Sequence, residues 1–94
     1  MEQNLNLYHI FYTVAKCRNI SGAARQLFIS QPAISKAISR LEQNLDTTLF
    51  LRSSRGVRLT ETGELLFRQV ESAFQAISQG EEQLRKVQEL GMGH

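Results

Sequence analysis

Ninety-four residues, 41% apolar and 21% charged, suit one small folded domain that buries roughly two thirds of the surface its unfolded chain exposes. No run approaches the ~20 apolar residues of a membrane span, and the start MEQNLNLYHI carries an acid and amides where a signal peptide carries cations, which points to the cytoplasm. The net charge of +2 averages two unlike parts: residues 1–60 hold eight Lys or Arg against three acids, and residues 61–94 hold three against six, so only the front is built to meet an anionic partner.

Leu7, Ile10, Phe11 and Val14 recur at helical spacing and predict an amphipathic helix over residues ~4 to 17. The single cysteine, Cys17, has no internal partner for a disulfide and reads as a buried structural thiol at the end of that helix. Ser21 is a good N-cap for a short second helix, Gly22 to Phe28, in which the small Ala23 and Ala24 let another helix come close and Leu27 faces inward. Ser30 caps a third helix with Pro32 in its first turn, where a missing N–H costs nothing. Ile34, Ile38, Leu41 and Leu45 form the core stripe of that helix. A short helix, a tight connection and a longer helix have the proportions of a helix-turn-helix.

Leu49-Phe50-Leu51 and Val57-Arg58-Leu59 flank Arg52-Ser53-Ser54-Arg55-Gly56 and predict a two-stranded hairpin, a wing, with Gly56 supplying the positive-φ turn residue. Thr60 caps a final long helix with Glu61 and Glu64 in its first turn, where acids complement the helix dipole. Along it Leu66, Val70, Ala73, Ile77, Gly80, Leu84 and Val87 alternate by four and three residues, a heptad seam about three repeats long. Phe67 and Phe74 widen the stripe toward the body. A lone helix cannot hide such a seam, so a partner helix is expected. Two glycines, Gly91 and Gly93, mark a hinge.

The third helix carries the functional signal. With Ile34 facing the core, Pro32, Lys36, Ser39 and Gln43 fall on the opposite side, Ser35 and Arg40 flank them, and Gln31 lies in the first turn. Amides, hydroxyls and cations are the side chains that pair with base edges, and their shortness near the helix start permits close approach to a major groove. Taken alone, the same face is equally compatible with an ordinary solvated helix. The wing adds weight, because arginine at a hairpin tip suits the negative potential of a minor groove. Lys16, Arg18, Arg25, Arg52 and Arg58 supply candidate phosphate contacts, and Ser21 is a candidate phosphate ligand as well as a cap.

Ala23-Ala24, Leu27, Ser30-Gln31-Pro32-Ala33-Ile34-Ser35-Lys36, Ile38, Leu41-Glu42, Leu45, Leu49-Phe50, Arg52, Leu59-Thr60 and Gly63 resemble the N-terminal region of LysR-type transcriptional regulators. The resemblance covers nearly the whole chain. It implies a mainly α fold: a winged helix-turn-helix of three helices and a two-stranded wing over residues 1–60, a linker and dimerisation helix over 61–90, and a hinge stub over 91–94 leading to an effector-binding domain absent from this chain. It implies sequence-specific binding of double-stranded DNA, an interrupted inverted repeat, by an antiparallel homodimer, with a small-molecule effector acting only through the absent domain. By position it assigns base contacts to Gln31, Pro32, Ser35 and Lys36, the minor-groove contact to Arg55, and wing support and backbone contacts to Arg52. The residue types themselves add Ser39 to the expected base contacts, Ser54 to the wing, and Ser21, Arg25, Ser30 and Arg40 as expected phosphate contacts. Two departures stand out. Lys36 replaces the family's usual arginine, so a bidentate fork to guanine is lost, and Asp46 replaces the glycine that usually ends the recognition helix, which predicts an altered helix end.

No enzyme is expected: His9 and His94 lack a serine or acid arranged around them, no glycine-rich phosphate loop occurs, and no cofactor is implied. A protein-binding winged helix would call for an apolar or acidic third helix, and a coiled-coil adaptor would not need a cationic front.

Overall fold

The computed structural model describes residues 4–92. The first helix, α1 (Leu5–Cys17), starts at Asn4, whose side chain accepts the Asn6 amide at 2.8 Å, and ends at Arg18 in the left-handed conformation (φ 63°), its amide bonded to the Val14 carbonyl at 2.8 Å. α2 (Ile20–Leu27) begins two residues before the predicted start. Its cap is Asn19, not Ser21: the Asn19 amide oxygen accepts the Gly22 N–H at 2.5 Å while its NH2 donates to the Cys17 carbonyl at 3.1 Å. One amide thus serves the end of α1 and the start of α2, which a serine hydroxyl at position 21 cannot reach. Cys17 is half-buried rather than buried, its thiol 3.3 Å from Gln26 Oε1.

α3 (Gln31–Leu45) is capped as predicted, with Ser30 Oγ accepting the Ala33 amide at 3.2 Å. Its end is unchanged by the missing glycine. Asp46 itself adopts φ 53°, and the pair Thr47 N–H to Glu42 O (3.1 Å) and Asp46 N–H to Gln43 O (3.2 Å) closes the helix in a Schellman motif. Phe28 takes the same conformation (φ 58°) after α2, as Arg18 does after α1, so three non-glycine residues carry a backbone strain that glycine would avoid.

Ile10, Phe11, Val14, Ala23, Ala24, Ile34, Ile38 and Leu41 meet in one core with Leu49, Phe50 and Val57 of the wing region and Val70. The α3 stripe stops short of its predicted end: Leu45 is 37% exposed at the rim. β1 (Phe50–Ser53) and β2 (Gly56–Leu59) pair antiparallel, Phe50 opposite Leu59 and Ser53 opposite Gly56, so the turn is only Ser54-Arg55. Gly56 has φ 118°, and a Cβ there would lie 2.4 Å from the Arg18 carbonyl, which also accepts the Val57 amide at 2.9 Å. The wing is therefore pinned to the α1–α2 connection.

α4 (Glu61–Met92) follows after one residue. Thr60 Oγ accepts the Gly63 amide at 2.9 Å and donates to the Thr48 carbonyl at 2.6 Å. A Cβ on Gly63 would lie 2.1 Å from the Leu49 carbonyl, a contact only glycine allows. Phe67 and Phe74 pack on α1 as predicted: Tyr12 stacks on Phe67 at 5.4 Å, and His9, though exposed, lies edge-on to Phe74 at 5.8 Å. The predicted seam divides here. Val70 is only 7% exposed and taken up by the protein's own core, while Leu66 is half-buried, packed on the core on one side and open to a groove on the other, because heptad spacing does not say which neighbour a stripe meets. Ala73, Ile77, Gly80, Leu84 and Val87 remain exposed on a helix projecting from the body, which gives the molecule extents of 56 × 27 × 21 Å. The helix continues through Gly91 and Met92, past the predicted boundary at residue 90; Gly93 and His94 of the expected hinge lie outside the described residues. No helix among the described residues is long and apolar enough to cross a membrane. The arrangement is a winged helix-turn-helix carrying a long C-terminal helix.

Candidate nucleic-acid interface

The core stripe of α3 turns its other side outward, and there Gln31, Pro32, Lys36, Ser39 and Arg40 are all exposed. Ser35 is half-buried, because its hydroxyl accepts a long bond from Arg52 Nη1 of β1 (3.4 Å). That contact brings the helix face and the wing onto one continuous surface. Ser54 and Arg55 are exposed at the tip, and the Arg55 amide donates to Ser53 Oγ at 3.2 Å, which tightens the turn and leaves the guanidinium outside.

Ser30 and Arg25 are exposed at the approach to α3. The Ser30 oxygen is occupied as an acceptor by the Ala33 amide, so its hydroxyl hydrogen is what it can offer an anion. Ser21 is half-buried in the first turn of α2, one residue inside the helix and not at its cap, where the backbone N–H groups still lack intrahelical acceptors. Lys16 extends over the Tyr12 ring at 5.4 Å, on the side of α1 that meets α4.

The sequence reading missed Glu42, the one acid of α3. Its Oε2 accepts the amides of Leu49 (2.7 Å) and Phe50 (3.3 Å), where the chain enters β1. The carboxylate thereby caps the two free N–H groups that start the wing and fixes the wing's height against α3. The clue was present: a single acid on a cationic helix, followed seven residues later by a strand. Asn19, which joins α1 to α2, was missed for a different reason, since Ser21 nearby is an equally good cap by type.

What this surface offers chemically is a protruding helix face of amides, hydroxyls and cations, with its acid engaged elsewhere, flanked by an arginine-tipped hairpin. That combination suits a grooved polyanion.

Comparisons with known proteins agree. A model of the bacterial regulatory helix-turn-helix proteins of the lysR family matches residues 5–64. The chain is similar to the uncharacterised HTH-type transcriptional regulator YoaU of Bacillus subtilis (strain 168), 47% identical over a stretch covering 74% of this chain and 26% of that protein. It is also similar to the HTH-type transcriptional regulator BudR of Klebsiella aerogenes, 38% identical with coverage of 95% and 60%. Among solved structures, the DNA-binding domain of BenM in complex with catB site 1 DNA superposes with a TM-score of 0.81 at 26% identity, covering 90% of this chain and 96% of that one. The CbnR DNA-binding domain complexed with DNA gives 0.78 at 27% identity, with coverage of 90% and 98%. The chain spans about a quarter of the length of the first curated relatives it matches.

Proposed function

Because the chain belongs to the lysR family of bacterial helix-turn-helix regulators, we propose that its DNA-binding domain acts as a homodimer that reads an interrupted inverted repeat. α3 enters the major groove and the wing the flanking minor groove. Gln31, Pro32, Ser35, Lys36 and Ser39 meet base edges, Arg52, Ser54 and Arg55 meet the minor groove, and Arg25, Ser30 and Arg40 meet phosphates. Ser21, in the first turn of α2, is a further phosphate contact. The exposed apolar side of α4 pairs antiparallel with its copy. A small-molecule effector, if the parent protein uses one, acts through a domain outside this chain.

The observation that carries this reading is the Ser35–Arg52 contact, which joins a base-reading helix face to a cationic wing in one surface. Two adjoining surfaces of matched character have no common purpose in a solvated helix or a coiled-coil adaptor.

Selection of duplex sites from a random pool, followed by binding measured against salt, tests it. We expect two half-sites of opposite orientation to be enriched, and log K to fall with log salt at about −0.9 per neutralised phosphate. No enrichment with a flat salt response would refute the proposal. Gln31→Ala is the cleanest probe of base reading, with about 1–3 kcal/mol of discrimination lost at one position. Ser35→Ala also frees Arg52, so its effect spreads to the wing.

A further inference from the structure

We propose that the groove between the end of α3 and the start of α4 receives the far end of α4 from a second copy of this chain, with Val87 and Leu90 as the inserted side chains. The inference rests on the antiparallel homodimer above and adds to it a contact outside the helix pair.

Leu45, the last residue of α3, lies in this groove with Leu49, and Leu65, Leu66 and Gln69 of α4 form its other wall. No charged side chain lines it. Leu65 is 65% exposed and Leu45 37% exposed, so this copy of the chain leaves leucines on both walls in water.

The groove continues into the uncharged side of α4. At about 100° per residue, every Glu, Lys and Arg of the helix projects onto one half of its circumference. The other half carries Leu65, Leu66, Ala73, Ile77, Gly80, Leu84 and Val87, with Leu90 at its edge. The groove walls Leu65, Leu66 and Gln69 belong to that same half, so whatever covers the strip also reaches the groove.

The size pattern along the strip selects the occupant. Around the midpoint between Ala76 and Ile77, Ala73 and Gly80 are equally distant, and so are Leu66 and Val87. A two-fold antiparallel pair therefore sets small against small at the crossing, where the helices come closest, and sets the partner's Val87 against Leu66. The partner's Leu90, one turn further, then passes Leu66 toward Leu45. A parallel pair would stack Gly80 on Gly80 and leave the groove open. The chain's own Val87 cannot fill it, being about 32 Å further along a straight helix than Leu66.

Two double-cysteine variants of the whole chain, both in a Cys17→Ala background, separate the claims. Ala73→Cys with Gly80→Cys reports the crossing, and Leu45→Cys with Leu90→Cys reports the groove. Under mild oxidation both are expected to give interchain disulfides, read as a dimer band without reductant. A crossing band without a groove band overturns the groove contact and leaves the dimer standing. Absence of both overturns the contact together with the reading beneath it. Independently, Leu45→Asp should raise the dimer dissociation constant at least roughly tenfold without DNA present, because a charge then sits in an apolar seat at the surface, with helix content by circular dichroism unchanged. Wild-type dimerisation of a folded Leu45→Asp protein would overturn the proposal.

Discussion

Glu42→Ala probes the tie between the reading helix and the wing. The Glu42 carboxylate accepts two amides, a short bond from Leu49 (2.7 Å) and a longer one from Phe50 (3.3 Å), and both residues are buried. A hydrogen bond to a charged group is worth about 1.5–3 kcal/mol, and leaving a buried N–H without a partner costs about 1–3 kcal/mol. The longer bond adds less, so removal of the carboxylate should destabilise the domain by about 2–4 kcal/mol, a large share of the ~5–15 kcal/mol that holds a domain together. Glu42→Gln keeps a carbonyl acceptor without the charge and should lose about half as much, since charge-assisted bonds are roughly twice as strong as neutral ones. Urea unfolding at one fixed protomer concentration measures both, because dimerisation would otherwise shift the midpoint. DNA affinity under conditions where the variant remains folded should also fall, as Arg52 and Arg55 lose their fixed height against α3. An unfolding midpoint for Glu42→Ala equal to that of the unaltered protein would refute the argument.

Gly63→Ala should fail to reach native stability, losing at least the ~1–3 kcal/mol typical of overpacking, because its Cβ would press on the backbone carbonyl of Leu49 and not on a movable side chain; thermal unfolding reads this directly. Phe28→Gly should go the other way and stabilise by about 1 kcal/mol, since the ring is 93% exposed and gives up no packing while the left-handed backbone is relieved; an unchanged or lower melting temperature would contradict it. Arg55→Ala should weaken binding most at sites with A·T-rich flanks, where a narrow minor groove attracts arginine; equal losses on A·T-rich and G·C-rich flanks, measured by titration, would remove Arg55 from the groove. Leu84→Glu sets a charge in the exposed strip of α4 and should leave the protein monomeric at micromolar concentration in sedimentation equilibrium; a persistent dimer would argue against pairing through α4.

Much of the fold was readable because local and tertiary demands coincide. Ser30 and Thr60 are the best caps in their stretches and do cap; Gly56 is the obvious positive-φ residue and takes that conformation. Where several residues could satisfy one demand, the sequence did not discriminate. Asn19 wins over Ser21 because only its two-headed amide also reaches the Cys17 carbonyl. Asp46 ends α3 as a glycine would, because two Schellman bonds repay the strained backbone. The heptad stripe of α4 was legible as apolar but not as divided, since Val70 and Ile77 look alike in sequence and differ in that only Val70 meets the protein's own core. The candidate interface was visible as a set of residue types; the Ser35–Arg52 and Glu42 contacts that join it to the wing span seven to seventeen positions and follow no short-range rule.

Thr60 alone separates β2 from α4, and Gly63 is jammed against the Leu49 carbonyl, so the junction has no slack. The reading unit and the rod therefore turn together as one lever. A residue inserted into the free half of α4 would rotate everything beyond it by about 100° and advance it by about 1.5 Å. In a pair joined through that rod, angular phase rather than distance becomes the quantity most sensitive to a change of length, as with two gears keyed to one shaft.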